Sequence, residues 1–143
     1  MHLTSPLNSA VHGAFLLRVA LALMWIAHAL LKLLVFGLPG TAAYFASIGF
    51  AAWLAYPVFA AELLGGLALL LGIQTRPVAL ALLPIMAVAA WVHAPNGWVH
   101  TSPGGGWEYP VFLCVAQLAL ALMGGGAWAW TPQRRAATAG VPA

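Results

Sequence analysis

Long apolar stretches separated by glycine and proline dominate the chain, and their lengths predict its elements. The first runs from about Ala14 to Phe36, enough to cross a hydrocarbon core of ~30 Å at ~1.5 Å per residue. Gly37, Pro39 and Gly40 are expected to stop it. Thr41 to Trp53 stays apolar and uncharged but is too short to span. Tyr44 and Ile48 at helical spacing, with Gly49 as a C′ residue, predict an interfacial or re-entrant helix there. A second span opens at Pro57, a residue suited to the first turn, and runs to Gly72. The tight connection Ile73-Gln74-Thr75-Arg76 leads to a third span from Pro77 to His93, which Pro84 should kink. His93-Ala94-Pro95-Asn96-Gly97 is a turn sequence that begins a loop containing Gly104-Gly105-Gly106. The fourth span starts at Pro110 and continues through Met123 towards Trp130, with Gly124-Gly125-Gly126 reading as a helix end.

The predicted fold is therefore all-α: a polytopic membrane protein, a four-transmembrane-helix bundle with a short interfacial helix between helices 1 and 2. One transmembrane domain covers residues 1–130, with spans at about 14–36, 57–72, 77–93 and 110–130, and residues 131–143 form a disordered cytoplasmic tail. Ala27-His28-Ala29 mimics a signal-peptide cleavage site, but the apolar run continues past it to Phe36 and predicts a retained helix. Tyr56-Pro57-Val58-Phe59 recurs as Tyr109-Pro110-Val111-Phe112, and Leu67-Ala68-Leu69 aligns with Leu120-Ala121-Leu122. Two duplicated helical hairpins about an axis along the membrane normal would produce this recurrence. Glu62 has no counterpart in it, because Val115 takes its place.

Composition turns these stretches into membrane spans rather than a soluble core. Hydrophobic residues make up 64% and charged residues 5%, with mean hydropathy +0.97; a soluble domain carries roughly 25% charged residues. The net charge of +3 is a topology signal and does not point to nucleic acid. Arg18, Arg76, Arg134 and Arg135 fall on one side of the predicted bundle and Lys32 on the other. The positive-inside rule then puts both termini in the cytoplasm and residues 37–55 and 94–108 outside, in a multi-pass protein of the bacterial inner (cytoplasmic) membrane. Trp53, Trp91, Trp98 and Trp107 at one boundary, with Trp128 and Trp130 at the other, read as an aromatic belt. A lone Cys114 excludes an internal disulfide and a CxxC redox pair.

Candidate chemistry gathers near the outer boundary. Helix rise places Lys32 about 6 Å and His28 about 12 Å below the outer end of the first span, and Glu62 about 8 Å below that of the second. Lys32 and Glu62 at matching depth can offset each other's burial cost, either as a structural lock between helices or as part of a site. The small-residue stripe Ala61, Gly65, Ala68 and Gly72 favours the close packing such a pair needs. His28 either bonds a backbone carbonyl or neighbour, donates protons to a quinone, or ligates haem with His93. Glu108 either caps the fourth helix or relays protons. Arg18 reads as snorkelling to cytoplasmic headgroups, and Cys114 and Gln117 as interhelical packing and hydrogen bonding. The candidate catalytic residues are thus His28, Lys32, Glu62 and Glu108; the candidate cofactor-binding residues are His28, Lys32, His93 and Asn96; no metal site is expected.

Several ordered motifs resemble the DoxX family: Leu17-Arg18, His28-Ala29 and Lys32; Tyr44-Phe45-Ala46-Ser47-Ile48-Gly49; Glu62-Leu63-Leu64-Gly65-Gly66; and His93-Ala94-Pro95-Asn96-Gly97 with Glu108-Tyr109-Pro110. The resemblance covers roughly residues 12–130. It implies a four-helix membrane protein with a quinone-linked redox role, related to the small subunit of thiosulfate:quinone oxidoreductase. It carries over Arg18, His28, Lys32, Glu62, His93 and Asn96 as the family's polar positions, without a catalytic role for any one of them. The leading expectation is an integral membrane subunit of a quinone-linked oxidoreductase system, with quinone as cofactor and haem not favoured. It would sit in the lipid bilayer with a partner redox protein or as a homo-oligomer. The alternatives are a non-catalytic anchor or assembly partner and, third, a haem-binding anchor or small transporter. Since the chain shows no other redox centre, electrons would have to come from a bound substrate or a partner.

Overall fold

The computed structural model describes residues 9–130, and every regular element among them is helical. Helix α1 (Ser9–Leu30) continues into a π turn over Leu31–Val35, followed by α2 (Leu38–Ser47), α3 (Ala55–Leu71), α4 (Thr75–His93) and α5 (Glu108–Met123). Short 3-10 turns at Ala52–Leu54 and Ala94–Asn96 join them. Among the described residues, three stretches are long and apolar enough to cross a membrane: Ser9–Val35, Ala52–Leu71 and Thr75–Asn96. Leu16, Leu34, Leu64, Phe112 and Leu122 stand outward, a disposition that suits lipid and would be an aggregation liability in water.

Element ends follow local chemistry. Gly37, at φ 68° and ψ 150°, ends the first helical stretch, but Pro39 and Gly40 do not, contrary to expectation. Both lie in the first turn of α2, where a missing proline N–H costs no helix bond. α2 ends at Ser47, with Gly49 beyond it at φ 87°. Pro57 occupies the first turn of α3, although the helix opens two residues earlier, at Ala55. α3 closes on Gly72 in the left-handed region (φ 73°), and the Ile73 N–H reaches back to Ala68 O at 2.8 Å, the bond of a Schellman-type end. α4 passes through Pro84 without a break.

The fourth apolar helix is shorter than its sequence suggests. α5 ends at Met123, where Gly124 adopts φ 85°, so the three glycines close the helix as expected but the span does not continue to Trp130. Its 16 residues rise about 24 Å. Residues 124–130 then turn back as a strap across the start of α1: the Ala127 N–H donates to Val11 O at 3.0 Å, and the Trp128 ring packs edge-on against Phe15. The tail expected to be disordered, with Arg134 and Arg135, lies outside the described residues.

α1 packs most extensively on α3, and α4 on α5, with thinner contact between the two pairs. The pairing matches the hairpins of the sequence repeat, and one detail recurs in both. Arg18 of α1 lies beside Gly72 at the end of α3; Arg76 of α4 lies beside Gly124 at the end of α5, where a Cβ would be 3.2 Å from Nε. Leu21, Trp25, Leu69, Leu82, Leu113 and Leu120 form the shared core. Through it runs a polar tie: Trp25 Nε1 donates to Gln117 Oε1 at 3.2 Å, and Gln117 Nε2 donates to Ala79 O at 3.1 Å. Gln117 is thus the interhelical hydrogen bonder its sequence position indicated.

Candidate functional site

Glu62, Gly66 and Leu69 lie on one buried face of α3, turned towards α1. Gly66 lets the α1 backbone approach, and the end of that helix delivers Lys32 onto Glu62. Lys32 Nζ donates to Oε1 at 3.0 Å and Oε2 at 2.8 Å, so both carboxylate oxygens are engaged. Glu62 is buried and the Lys32 side chain nearly so. Two of the three ammonium protons are committed to Glu62, and one remains for another acceptor. The helix carries Lys32 within its π turn, Leu31–Val35, closed by the Phe36 N–H on Leu31 O. Such turns inside α-helices frequently occur at functional sites.

His28 sits one turn before Lys32. Its Nδ1 donates to Met24 O at 2.8 Å; a carbonyl can only accept, so Nδ1 carries the proton and Nε2 of the neutral ring presents a lone pair. Nε2 has no hydrogen-bond partner among the described residues. His93 repeats the arrangement, donating from Nδ1 to Ala89 O at 2.7 Å, with its Cδ2–Nε2 edge against Gly105 of the following loop.

The other predicted site residues do not join this group by hydrogen bonds. Asn96 Nδ2 donates to Gly104 O and Gly105 O, tying the loop back on itself. Glu108 opens α5 in its first turn, where a carboxylate favours the helix N-terminus as one of the two sequence readings has it, though its hydrogen bonds go to His100 and not to that turn. Its Oε1 accepts the His100 main-chain N–H and ring Nδ1–H, each at 2.8 Å. Those two bonds, the main-chain one foremost, hold its carboxyl below the usual 4.5. Among the described residues no three His, Cys, Asp or Glu side chains gather as a metal-ligand set.

Arg18 corrects the expectation of a snorkelling side chain. It is 1% exposed, and its guanidinium closes the C-terminus of α3. Nη1 donates to Leu69 O and Leu70 O, and Nη2 to Ala127 O of the strap. The physical reason is the row of carbonyls that every helix end leaves without partners, which a planar fork of donors can serve in lipid where water cannot. The small-residue stripe needs a shift of phase as well. Gly65 faces Leu82 of α4, whereas its neighbour Gly66 admits α1. Sequence reasoning missed His100 and Trp25. His100 precedes Glu108 by eight positions in a glycine-rich loop, a spacing with no regular period to flag it.

Comparison with known proteins agrees with the motifs as far as Pro95, and the match does not extend to Asn96 or to Glu108-Tyr109-Pro110. The DoxX family model matches residues 13–95. A protein of Bacillus subtilis (strain 168) named "Putative oxidoreductase CatD" is 39% identical over 64 residues, 45% of this chain and 46% of that relative's length. The chain thus aligns with less than half of the curated relative. No solved structure matches it significantly.

Proposed function

The chain belongs to the DoxX family, and on that premise we propose that it acts as the membrane subunit of a quinone-linked oxidoreductase system. The observation that carries this reading is the pair of uncommitted groups one turn apart on α1. Lys32 keeps one ammonium proton free beside Glu62, and His28 keeps its Nε2 lone pair. A ring carbonyl needs a donor and a ring hydroxyl needs an acceptor, so Lys32 suits the oxidised form of a quinone and His28 the reduced form. Glu62 holds the ammonium in place and keeps its charge tolerable at depth. Quinone supplies two-electron redox chemistry when bound; the chain's residues bind, orient and exchange protons. The name of the aligned Bacillus subtilis protein fits an oxidoreductase role. Electrons come from a substrate or from a partner redox protein, with self-association as the other assembly open to so small a chain.

The same proposal sets the membrane geometry. α5 is the fourth crossing, lying along α4 between Trp107 and the pair Trp128 and Trp130, and α2 rests at the interface. Arg18 and Arg76 mark the cytoplasmic end, in a bacterial inner membrane.

A second reading has its own observation. Lys32 is neutralised by Glu62, and His28 is already bonded to Met24 O, so both could serve structure alone in a non-catalytic anchor. Purification with native lipids, organic extraction and ultraviolet spectroscopy separate the two: a quinone co-purifies with a redox subunit and is absent from an anchor.

A further inference from the structure

The loop end of the bundle holds a second constellation that the Lys32 site does not use. Glu108 accepts two hydrogen bonds from the one residue His100, main chain and ring, and so fixes the plane of the imidazole. With the Nδ1 proton directed at Glu108, Nε2 of the neutral ring is a hydrogen-bond acceptor. This pair lines an open-mouthed cleft of about 830 Å³ whose other walls are Trp98, Tyr109 and Phe112. Small-molecule sites span roughly 300–1,000 Å³ and combine apolar walls with a few placed polar groups.

The walls are held in place. Trp107 meets Trp98 edge-on, ring centroids 4.5 Å apart at 85°. Tyr109 donates its hydroxyl to Met24 Sδ at 3.4 Å, across to the α1 turn whose carbonyl holds His28. Aromatic faces with one oriented acceptor at the rim match a flat ring that carries a hydroxyl: the ring packs against the aromatic walls, and its O–H donates to Nε2.

We propose that this cleft binds a hydroxylated aromatic ring of the quinol class, with His100 as hydrogen-bond acceptor and Glu108 as its positioning residue. The identity of the ring rests on the quinone-linked reading; the cleft itself uses none of Lys32, Glu62 or His28. The cleft selects the reduced form, because a quinone's carbonyls are acceptors and so is Nε2. Release and capture of the reduced ring then occur at the loop end, separate from the Lys32 and His28 pair, which serves both forms.

The test is calorimetric titration of the full chain in lipid nanodiscs with decylubiquinol, kept anaerobic, and with decylubiquinone. His100 is 68% exposed at its side chain, so His100→Phe should leave thermal stability unchanged. It should weaken decylubiquinol binding at least tenfold while leaving decylubiquinone binding as it was. Glu108→Gln, whose amide oxygen still accepts from Nδ1, should weaken quinol binding less than His100→Phe does. Trp98→Ala should weaken quinol binding without touching the acceptor. Quinol affinity indifferent to His100→Phe and Trp98→Ala, but lost in His28→Phe, overturns the cleft and leaves the quinone-linked reading standing. Failure of wild type to bind either probe overturns both.

Discussion

Gly66 and Ile26 approach so closely that no side chain fits between them: a Cβ at position 66 would lie 2.8 Å from Ile26 Cγ1 and 3.1 Å from the Ile26 main-chain nitrogen. The contact joins α1 to α3 one turn from Glu62, and so sets the distance over which Lys32 can reach its partner. Gly66→Ala should therefore destabilise the bundle by about 1–3 kcal/mol, the usual cost of overpacking. Gly65→Ala meets only the branched end of Leu82 at 2.8 Å, which can rotate, and should cost less. Thermal unfolding in detergent ranks the two. Equal losses would mean that the α1 backbone yields as readily as a leucine methyl.

Lys32 and Glu62 should be energetically coupled. Lys32→Met leaves a buried carboxylate unpaired, a loss of up to ~3–5 kcal/mol that access to interfacial water reduces. Glu62→Gln in the same chain removes the orphaned charge and should restore part of it. A double-mutant cycle in bilayers reads the coupling directly, and additive effects would show that the bond is not made in the membrane.

Arg18 should be irreplaceable by lysine. Its removal strips donors from Leu70 O and Ala127 O, while Leu69 O keeps the Gly72 N–H, each orphaned carbonyl costing ~1–3 kcal/mol where water is absent. Arg18→Met is expected to lose about 3 kcal/mol or more and to free the strap, and Arg18→Lys to recover only a minor share, since an ammonium lacks the planar fork. Unfolding temperature, with protease sensitivity near Ala127, reports both effects. Full rescue by lysine would reduce the role of Arg18 to its charge.

These three predictions differ in how far sequence leads to them. The Lys32–Glu62 pair was legible because helix rise converts position into depth, and Glu62 is the one carboxylate within the expected spans. Bonding of His28 to a carbonyl was among its sequence readings. The role of Arg18 was not legible, since position along α1 says nothing about which helix end will stop beside it. The end of α5 was legible in part: the three glycines mark where the helix stops, but the apolar residues beyond them read as more span and hide the strap that turns back on α1. Gly65 and Gly66 are adjacent, so sequence offers both, and only the rotation of α3 about its axis decides which one meets α1.

The loop carrying His100 should loosen in acid. The His100 bonds depress the folded-state pKa of Glu108 below 4.5, so their contribution is complete above that value and is lost as pH falls through the lower folded value. Hydrogen exchange of the 97–107 segment should accelerate over that window in wild type. Glu108→Gln should show no acid step there, and a step of the same size would assign it to another group.

The most direct test of the quinone-linked reading is quinone retention after purification in native lipids, with thermal stability measured alongside, for wild type and His28→Phe. The ring at position 28 keeps its bulk in the variant but loses Nε2 and the bond to Met24 O; that carbonyl keeps its place in the helix ladder, so the fold should survive. Quinone present in wild type and lost from a stable His28→Phe variant is the predicted result. Quinone absent from wild type, or retained equally by both proteins, would contradict it.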